Sequence, residues 1–503
     1  MVSETIAHYT AYRPRPFVRA ERGAVTLLYG GLTWKHERLI QGVFHNMGYN
    51  AEPLPNVSRP DLDAGKELID VGACCPTTFV TGNLVNFLKS KLTQEGKDAV
   101  VNRYLYLTAG NCGACRFGQY HQSYTMALDT LGLRDFRIFL FAQDGMDQGA
   151  IGGGGLELTM PFSLGMVWAV LCGDLLTDLE YRTRPYEVVP GQTDQVLRQS
   201  VEYLYDVFRR RPVRGKRWGA LAWHLTTGYF VDALREVKHQ WDAIEVDRLR
   251  VKPKVKITGE FWLQTHEGDG NYNIKRWLEQ EGAEVVPPPI AVWLDYWMRF
   301  YVQEFDERRE IDRYAGLKIR LVKVLQRVFR SAYNRLRKAL GSLPYELPDQ
   351  YELRALAAPF YHHRLSGGEG DMLVGKALYA YRHRTAHMIC ELSPYSCMPN
   401  TMSVGAMSHV LGKYPDLLYA PIEVKGDGEV HALSRCQMIL TEAKRRAQQE
   451  FDSVLRRTGI SPERIRQYEA RHPSVRRVTY PVPHNGVAGT AANYVLTLAQ
   501  HVA

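Results

Sequence analysis

Apolar runs ending in glycine or in a cysteine-bearing turn alternate along this chain with amphipathic stretches of helical period, and this alternation narrows the possible folds more than any other feature. AVTLLYGG reads as a buried strand closed by two glycines, LTWKHERLIQGVFHNMG as an amphipathic helix closed by Gly48, and YNAEPLP as a second strand. The pattern continues through LIDVGACCP as a further strand, a helix from Thr77 to about Lys91, RYLYLTAGNCGAC, a helix over GQYHQSYTMALDTLG, and FRIFLFAQ. Strands that alternate with helices pair in parallel and bury both faces beneath those helices, so the fold class is α/β with parallel sheets.

Later segments repeat the grammar. Residues 1–150 form a first α/β domain, and 151–250 a helical connector that begins at the run Gly152–Gly155. That run lacks the Lys-Ser/Thr of a phosphate loop and the spaced glycines of a dinucleotide fingerprint, so it reads as a linker. VKITGEFWLQ, THEGDGNYNIKRWLEQEG and AEVVPPP open a second unit, 251–345, which also holds long helices from about Ala291 to Lys338. GEGDMLVGKALYA, HMICELSPYSCMPN, DLLYAPIEV and a helix from about Ala432 to Arg456 make a third, 346–458. The remainder, 459–503, is basic and then rich in glycine and alanine: either a partner-binding extension or a poorly ordered tail. With 503 residues and 45% apolar content, two or three cored domains are expected.

The formal net charge is +9, concentrated in RRRPVRGKRW, KIRLVKVLQRVFRSAYNRLRK and ARHPSVRRV. Each alternates basic with apolar residues as a solvated helix face does; an acidic partner or a phosphorylated ligand is the main alternative. No nucleic-acid motif accompanies the charge. The first twenty residues lack the apolar stretch of a secretory signal, and the longest apolar run, Leu164 to Gly173, is too short to span a bilayer. The expected location is cytoplasmic, where clustered cysteines serve as metal ligands or redox groups more often than as disulfides.

Six of the eight cysteines fall in three pairs: Cys74-Cys75, Cys112/Cys115 and Cys390/Cys397. Each pair follows a strand-like run, and open α/β sheets place ligands beyond the carboxyl ends of strands. No single pair fills a tetrahedral site, so a metal would draw on several loops. Glycines beside them (Gly72, Gly110, Gly113) permit close backbone approach, and Pro76, Pro394 and Pro399 stiffen the exits. Zinc is the inorganic competitor to an iron-sulfur site, but only Cys112/Cys115 has the form of a zinc knuckle. Cys172 and Cys436 lack cysteine neighbours and read as inert core thiols. Arg116, Gln119, Tyr120, His121 and Gln122 follow Cys115 on the first turns of a helix, and Arg116, Gln119 and His121 are the candidate catalytic groups; capping or core roles fit them equally. Glu267 with Asp269, and Glu369 with Asp371, are either paired carboxylates or acidic N-caps.

GKELIDVGACCPTTFVTGNLVNFL, YLYLTAGNCGACRFGQYHQSY, FWLQTHEGDGNYNIKRWLEQEGAEV and SPYSCMPNTMS resemble the activase-related branch of the 2-hydroxyacyl-CoA dehydratase and benzoyl-CoA reductase superfamily, over about residues 24 to 457. The resemblance implies flavodoxin-like α/β domains with an iron-sulfur cluster, 4Fe-4S or double-cubane 8Fe-9S, in the cleft between them. It implies electrons from a separate ATP-hydrolysing activase with its own 4Fe-4S cluster, and an acyl-CoA as a candidate substrate. By motif, Cys397 is the clearest ligand, joined by Cys74 or Cys75 and by Cys112 and Cys115; Cys390 would be needed only for the larger cluster. The implied activities are a low-potential iron-sulfur reductase component or a dehydratase component acting through a ketyl radical; a metal-bearing scaffold is the non-catalytic alternative. A homo- or hetero-oligomer without membrane or nucleic-acid partners is expected.

Overall fold

The structure, a computed structural model, describes residues 14–110, 115–142, 145–212, 217–365 and 369–502. Two sheets form its frame. The first holds β1 (Thr26–Tyr29), β2 (Asn50–Pro53), β3 (Tyr104–Ala109), β4 (Arg137–Ala142) and the short β5 (Gly145–Met146), in the order β2-β1-β3-β4-β5. All pairings are parallel except that of β5, which folds back antiparallel on β4. The second sheet is wholly parallel: β6 (Lys254–Gly259), β7 (Glu284–Val286), β8 (Met388–Pro394) and β9 (Tyr419–Val424), in the order β7-β6-β8-β9. The segments read as second and third α/β units therefore contribute strands to one sheet, and the chain has two flavodoxin-like strand orders.

Helices cover both faces of each sheet, as burial of both faces of a parallel sheet requires. Leu27, Leu105 and Phe139 of the first sheet pack on the connector helices Met160–Thr183 and Gln192–Arg209, while Leu28, Tyr106 and Ile138 face helices Cys75–Glu95 and Tyr120–Thr130. The apolar run Leu164 to Gly173 sits inside a longer stretch, Met160–Tyr186, that by length and composition alone would cross a membrane; 67% of its apolar window is buried in the protein.

One expectation is corrected. LIDVGACCP is not a strand. Ser58 caps a helix, Arg59–Leu68, its N–H donating to Asp61 at 2.8 Å; turns follow, and Val71 is left in solvent where a buried strand would have enclosed it. Cys74 and Cys75 thus follow a turn. The tail after Gly459 is ordered: helices Pro462–Arg471 and Thr490–Val502 bury Ile465, Tyr494 and Leu498 against Phe451 and Val454. Arg248 holds this tail through the carbonyls of Val475, Arg477, Val478 and Tyr480.

Candidate functional site

In both sheets the strand order reverses beside the first strand, between β1 and β3 and between β6 and β8. Such reversals open a crevice at the carboxyl ends of the strands, because the two adjoining connections leave in opposite directions. Here both crevices line one cavity of about 370 Å³. Gly30 and Gly31 reach it from the end of β1, Thr108 from the last residues of β3 and Cys115 from beyond it, Glu260 and Trp262 from beyond β6, and Cys397 and Pro399 from beyond β8.

Two of the cysteine pairs send members here. Cys397 is the N-cap of helix Met398–Lys413, Cys74 the N-cap of helix Cys75–Glu95, and Cys115 opens the turn Arg116–Gln119 that leads into helix Tyr120–Thr130. Burial raises the Cys115 thiol to about 12, with Glu260, Cys74 and Glu369 adding to the rise. It raises Cys397 further, and Glu260, Cys115 and Cys74 act in the same direction. Cys115 and Cys397 are therefore near enough to Cys74 to feel its charge. Cys74 lies just behind the cavity wall, its Sγ 3.1 Å from Thr77 Oγ1 and 3.3 Å from the Tyr120 hydroxyl. The loops interlock: Cys75 N–H donates to the Tyr395 carbonyl at 3.3 Å, and Ser396 and Arg116 both donate to the carbonyl of Gly72.

The remaining cysteines separate. Cys75 turns toward the core of the second sheet, among Leu62, Phe79 and Trp262, and burial raises its thiol to about 12. Cys390 is corrected: it lies inside β8, fully buried, with the Cys436 thiol as its hydrogen-bond partner. Strand alternation decides this, because Cys390 and Glu391 must face opposite sides of the sheet and Cys390 takes the side of the apolar core. Cys112 and Gly113 lie outside the described residues.

The other candidates fall into structural and lining roles. Pro399 lines the cavity and Pro76 is buried in the first turn of its helix. Gly110 donates to the Phe141 carbonyl at 2.9 Å, and a Cβ there would meet Leu140 at 2.7 Å, so its smallness serves sheet packing. Arg116 ties its own turn to Gly72, and Gln119 is exposed. His121 is half-buried on helix Tyr120–Thr130; burial lowers its pKa, Asp147 opposes the shift, and it is absent from the cavity wall. Of the carboxylates, Glu267 pairs with Lys35 at 2.6 Å, Asp371 pairs with Arg299 at 2.6 Å, and Asp269 accepts the Arg59 N–H at 2.9 Å. Of these four candidates, only Glu369 lines the cavity.

Sequence reasoning passed over most of the polar lining. Glu37, Glu260 and Glu369 stand in an aromatic-walled space with Phe261, Trp262 and Trp293. Burial raises Glu37 to about 8 against the N–H groups of Leu32 and Gly31 that favour its charge. Glu260 is raised too, although it accepts from Trp262 N–H at 3.0 Å and Leu263 N–H at 2.9 Å. Glu369 accepts from Gln264 at 3.0 Å and is raised by burial against the pull of Lys376. His266 stacks on Trp262 with ring centroids 4.5 Å apart, and neither ring nitrogen has a partner among the described residues. Burial, then Lys275, depresses it to about 3, so it is neutral. Glu260 carried one signal: it directly follows a strand whose carboxyl end opens on a crevice.

Among the described residues no three His, Cys, Asp or Glu side chains close into a group able to hold a metal ion. A single zinc ion would draw its thiolates to within about 4 Å of one another, given a zinc-sulfur bond of about 2.3 Å. Comparison with protein-family models, curated proteins and solved structures returned no match.

Proposed function

We propose that this chain is the substrate-bearing component of a low-potential iron-sulfur reductase, akin to the 2-hydroxyacyl-CoA dehydratase and benzoyl-CoA reductase superfamily, fed by an ATP-hydrolysing activase. One observation carries the reading. Thiols from two loops, Cys115 and Cys397, line an apolar cavity where the switch points of two parallel sheets face each other, and Cys74 of a third loop lies behind its wall against Tyr120.

The donor set suits a cluster in chemistry. Soft thiols at the starts of helices Cys75–Glu95 and Met398–Lys413 lie where backbone N–H groups point outward and favour anionic charge. Cys74, Cys115 and Cys397 would hold the group, with Cys112 of the same loop as the fourth ligand. Metal binding would deprotonate Cys115 and Cys397, whose thiols burial otherwise keeps neutral. The cluster, when bound, would supply one-electron transfer at low potential. A six-thiolate set is disfavoured, because Cys75 and Cys390 belong to apolar cores.

The rest of the cavity does ordinary work around that chemistry. Trp262, Trp293 and Phe261 keep water from the reacting centre. Burial keeps Glu37 protonated at neutral pH, so it adds no negative charge beside an anionic cluster. Glu369, with one oxygen accepting from Gln264, holds a proton that a reduced substrate can take.

Anaerobic purification with iron and sulfide analysis tests the proposal. The expected result is about four irons and about four sulfides per chain. Cys115→Ala and Cys397→Ala should lose most of both, whereas Cys390→Ala should retain them and cost about 1 kcal/mol of stability as a core truncation. A colourless protein holding about one zinc and no sulfide would overturn the reading.

A further inference from the structure

Helix Ala315–Ala339 carries two apolar stripes on opposite sides. The inner one, Ala315, Ile319, Ala332, Tyr333 and Leu336, is buried and packs on helix Ile290–Glu307 and on the connector. The outer one is unpaired. Tyr314, Leu317, Leu321, Val324 and Val328 recur at intervals of three and four residues, and all but the half-buried Val328 are more than 50% exposed; Leu325 at 55% and Ile311 at 85% extend the patch. This is the spacing of a coiled-coil seam, and a seam in water costs hydrophobic free energy until another helix covers it.

The flanks of the seam say what kind of helix. Arg313, Arg320, Lys323 and Arg327 border it and are exposed, as is Lys318, which reaches Asp312 at 2.6 Å. Toward its C-terminal end the helix borders a polar trough shared with helix Tyr229–Trp241. Arg235, Arg327, Arg330, Arg335 and Lys338 line it. Arg330 is paired with Asp295 and Arg235 with Asp232, while Arg327 and Lys338 have no carboxylate partner among the described residues. Arg313, Arg320 and Arg327 recur every seven residues along one flank, so a second copy packed antiparallel would bring arginine against arginine. A membrane surface is matched by a broad apolar face, and here the inner half of the helix is already packed on protein.

We infer that the outer face of helix Ala315–Ala339 is a docking seam for an acidic amphipathic helix of a partner protein, leucine-like residues filling the stripe and carboxylates meeting the arginine row along its flank. This surface is independent of the cavity and of any cluster in it.

The test uses the full chain and two designed four-heptad peptides, each with leucine at the core positions, one with glutamate and one with lysine on the flanks. Fluorescence anisotropy should show the acidic peptide binding at least about tenfold tighter than the basic one, with affinity falling as salt rises. Leu321→Glu with Val324→Glu should weaken that binding by about tenfold or more with an unchanged melting temperature, because both side chains are already in solvent. Reversing Arg320, Lys323 and Arg327 to glutamate should switch the preference to the basic peptide. Equal or absent binding of both peptides would overturn the inference. So would concentration-dependent self-association abolished by Leu321→Glu, or binding to phosphatidylserine vesicles without binding to the acidic peptide.

Discussion

Glu37 shows how much of this site depends on where one residue is enclosed. It sits in the first turn of helix Trp34–Asn46, an ordinary place for an acid, yet it faces a cavity. Its folded carboxyl holds a proton up to about 8, whereas the unfolded chain releases it near 4.5. Between those values the folded state binds more protons, so this group's contribution to stability falls as pH rises through the window, by at most about 1.4 kcal/mol per pH unit. Glu37→Gln keeps the oxygen that accepts the Leu32 N–H and removes the titration. Denaturant midpoints measured at pH 5 and pH 8 should therefore fall less in Glu37→Gln than in the parent; equal slopes would show the carboxyl to be solvated. Cys390 teaches the converse. Its spacing to Cys397 made it look like a ligand, but one step of strand alternation turned it into the core beside Cys436.

At the scale of elements, helix Arg59–Leu68 crosses helix Cys75–Glu95 so closely that only glycine fits at the crossing. A Cβ on Gly82 would lie 1.7 Å from the Asp61 carbonyl oxygen, and one on Gly65 would lie 2.0 Å from that of Thr78. Backbone cannot yield as a flexible side chain does, so Gly82→Ala must push the helices apart, at a cost of about 3 kcal/mol or more in equilibrium unfolding. The displaced helix carries Cys74 at its start, so under the proposed iron-sulfur function the same variant should also lower iron content. Gly316→Ala gives the opposite sign. Nothing lies within 4 Å of its Cβ position, and alanine in a helix is favoured over glycine by about 1 kcal/mol. Neither glycine can be told from the other in sequence, because both sit in helical stretches and only the neighbour across the crossing differs. The misread strand before Cys74 has a related origin: Ile69 and Val71 look like a strand in isolation, and capping by Ser58 and Asp61 had already committed the residues before them to a helix.

The whole molecule is held in register by buried charge as well as by apolar cores. Lys35, from the helix after β1, is fully buried between Glu180 of the long connector helix at 2.8 Å and Glu267 beyond β6 at 2.6 Å, so one ammonium ties both sheets to the connector. Burial alone would lower its pKa, and the two carboxylates outweigh that and raise it. Lys35→Met leaves Glu267 without its ion-pair partner and Glu180 with Arg184 alone, and should destabilise by about 3–5 kcal/mol in urea unfolding. Replacing Glu180 and Glu267 by glutamine in the same chain should recover part of the loss; no recovery would mean that the lysine acts through packing and not through charge.

The sequence by itself determined the α/β class, eight of the nine strands found among the described residues to within a few residues, and the cysteine loops that border the site. These follow from local period and turn chemistry, which each segment carries wherever it lies. Only the tertiary structure decided that β6 to β9 form one sheet, that the two switch points share a cavity, and that Glu37, Glu260 and His266 line it while Cys75 and Cys390 face apolar cores. Those outcomes depend on which distant segments meet and exclude water, and no run of neighbouring residues encodes that meeting.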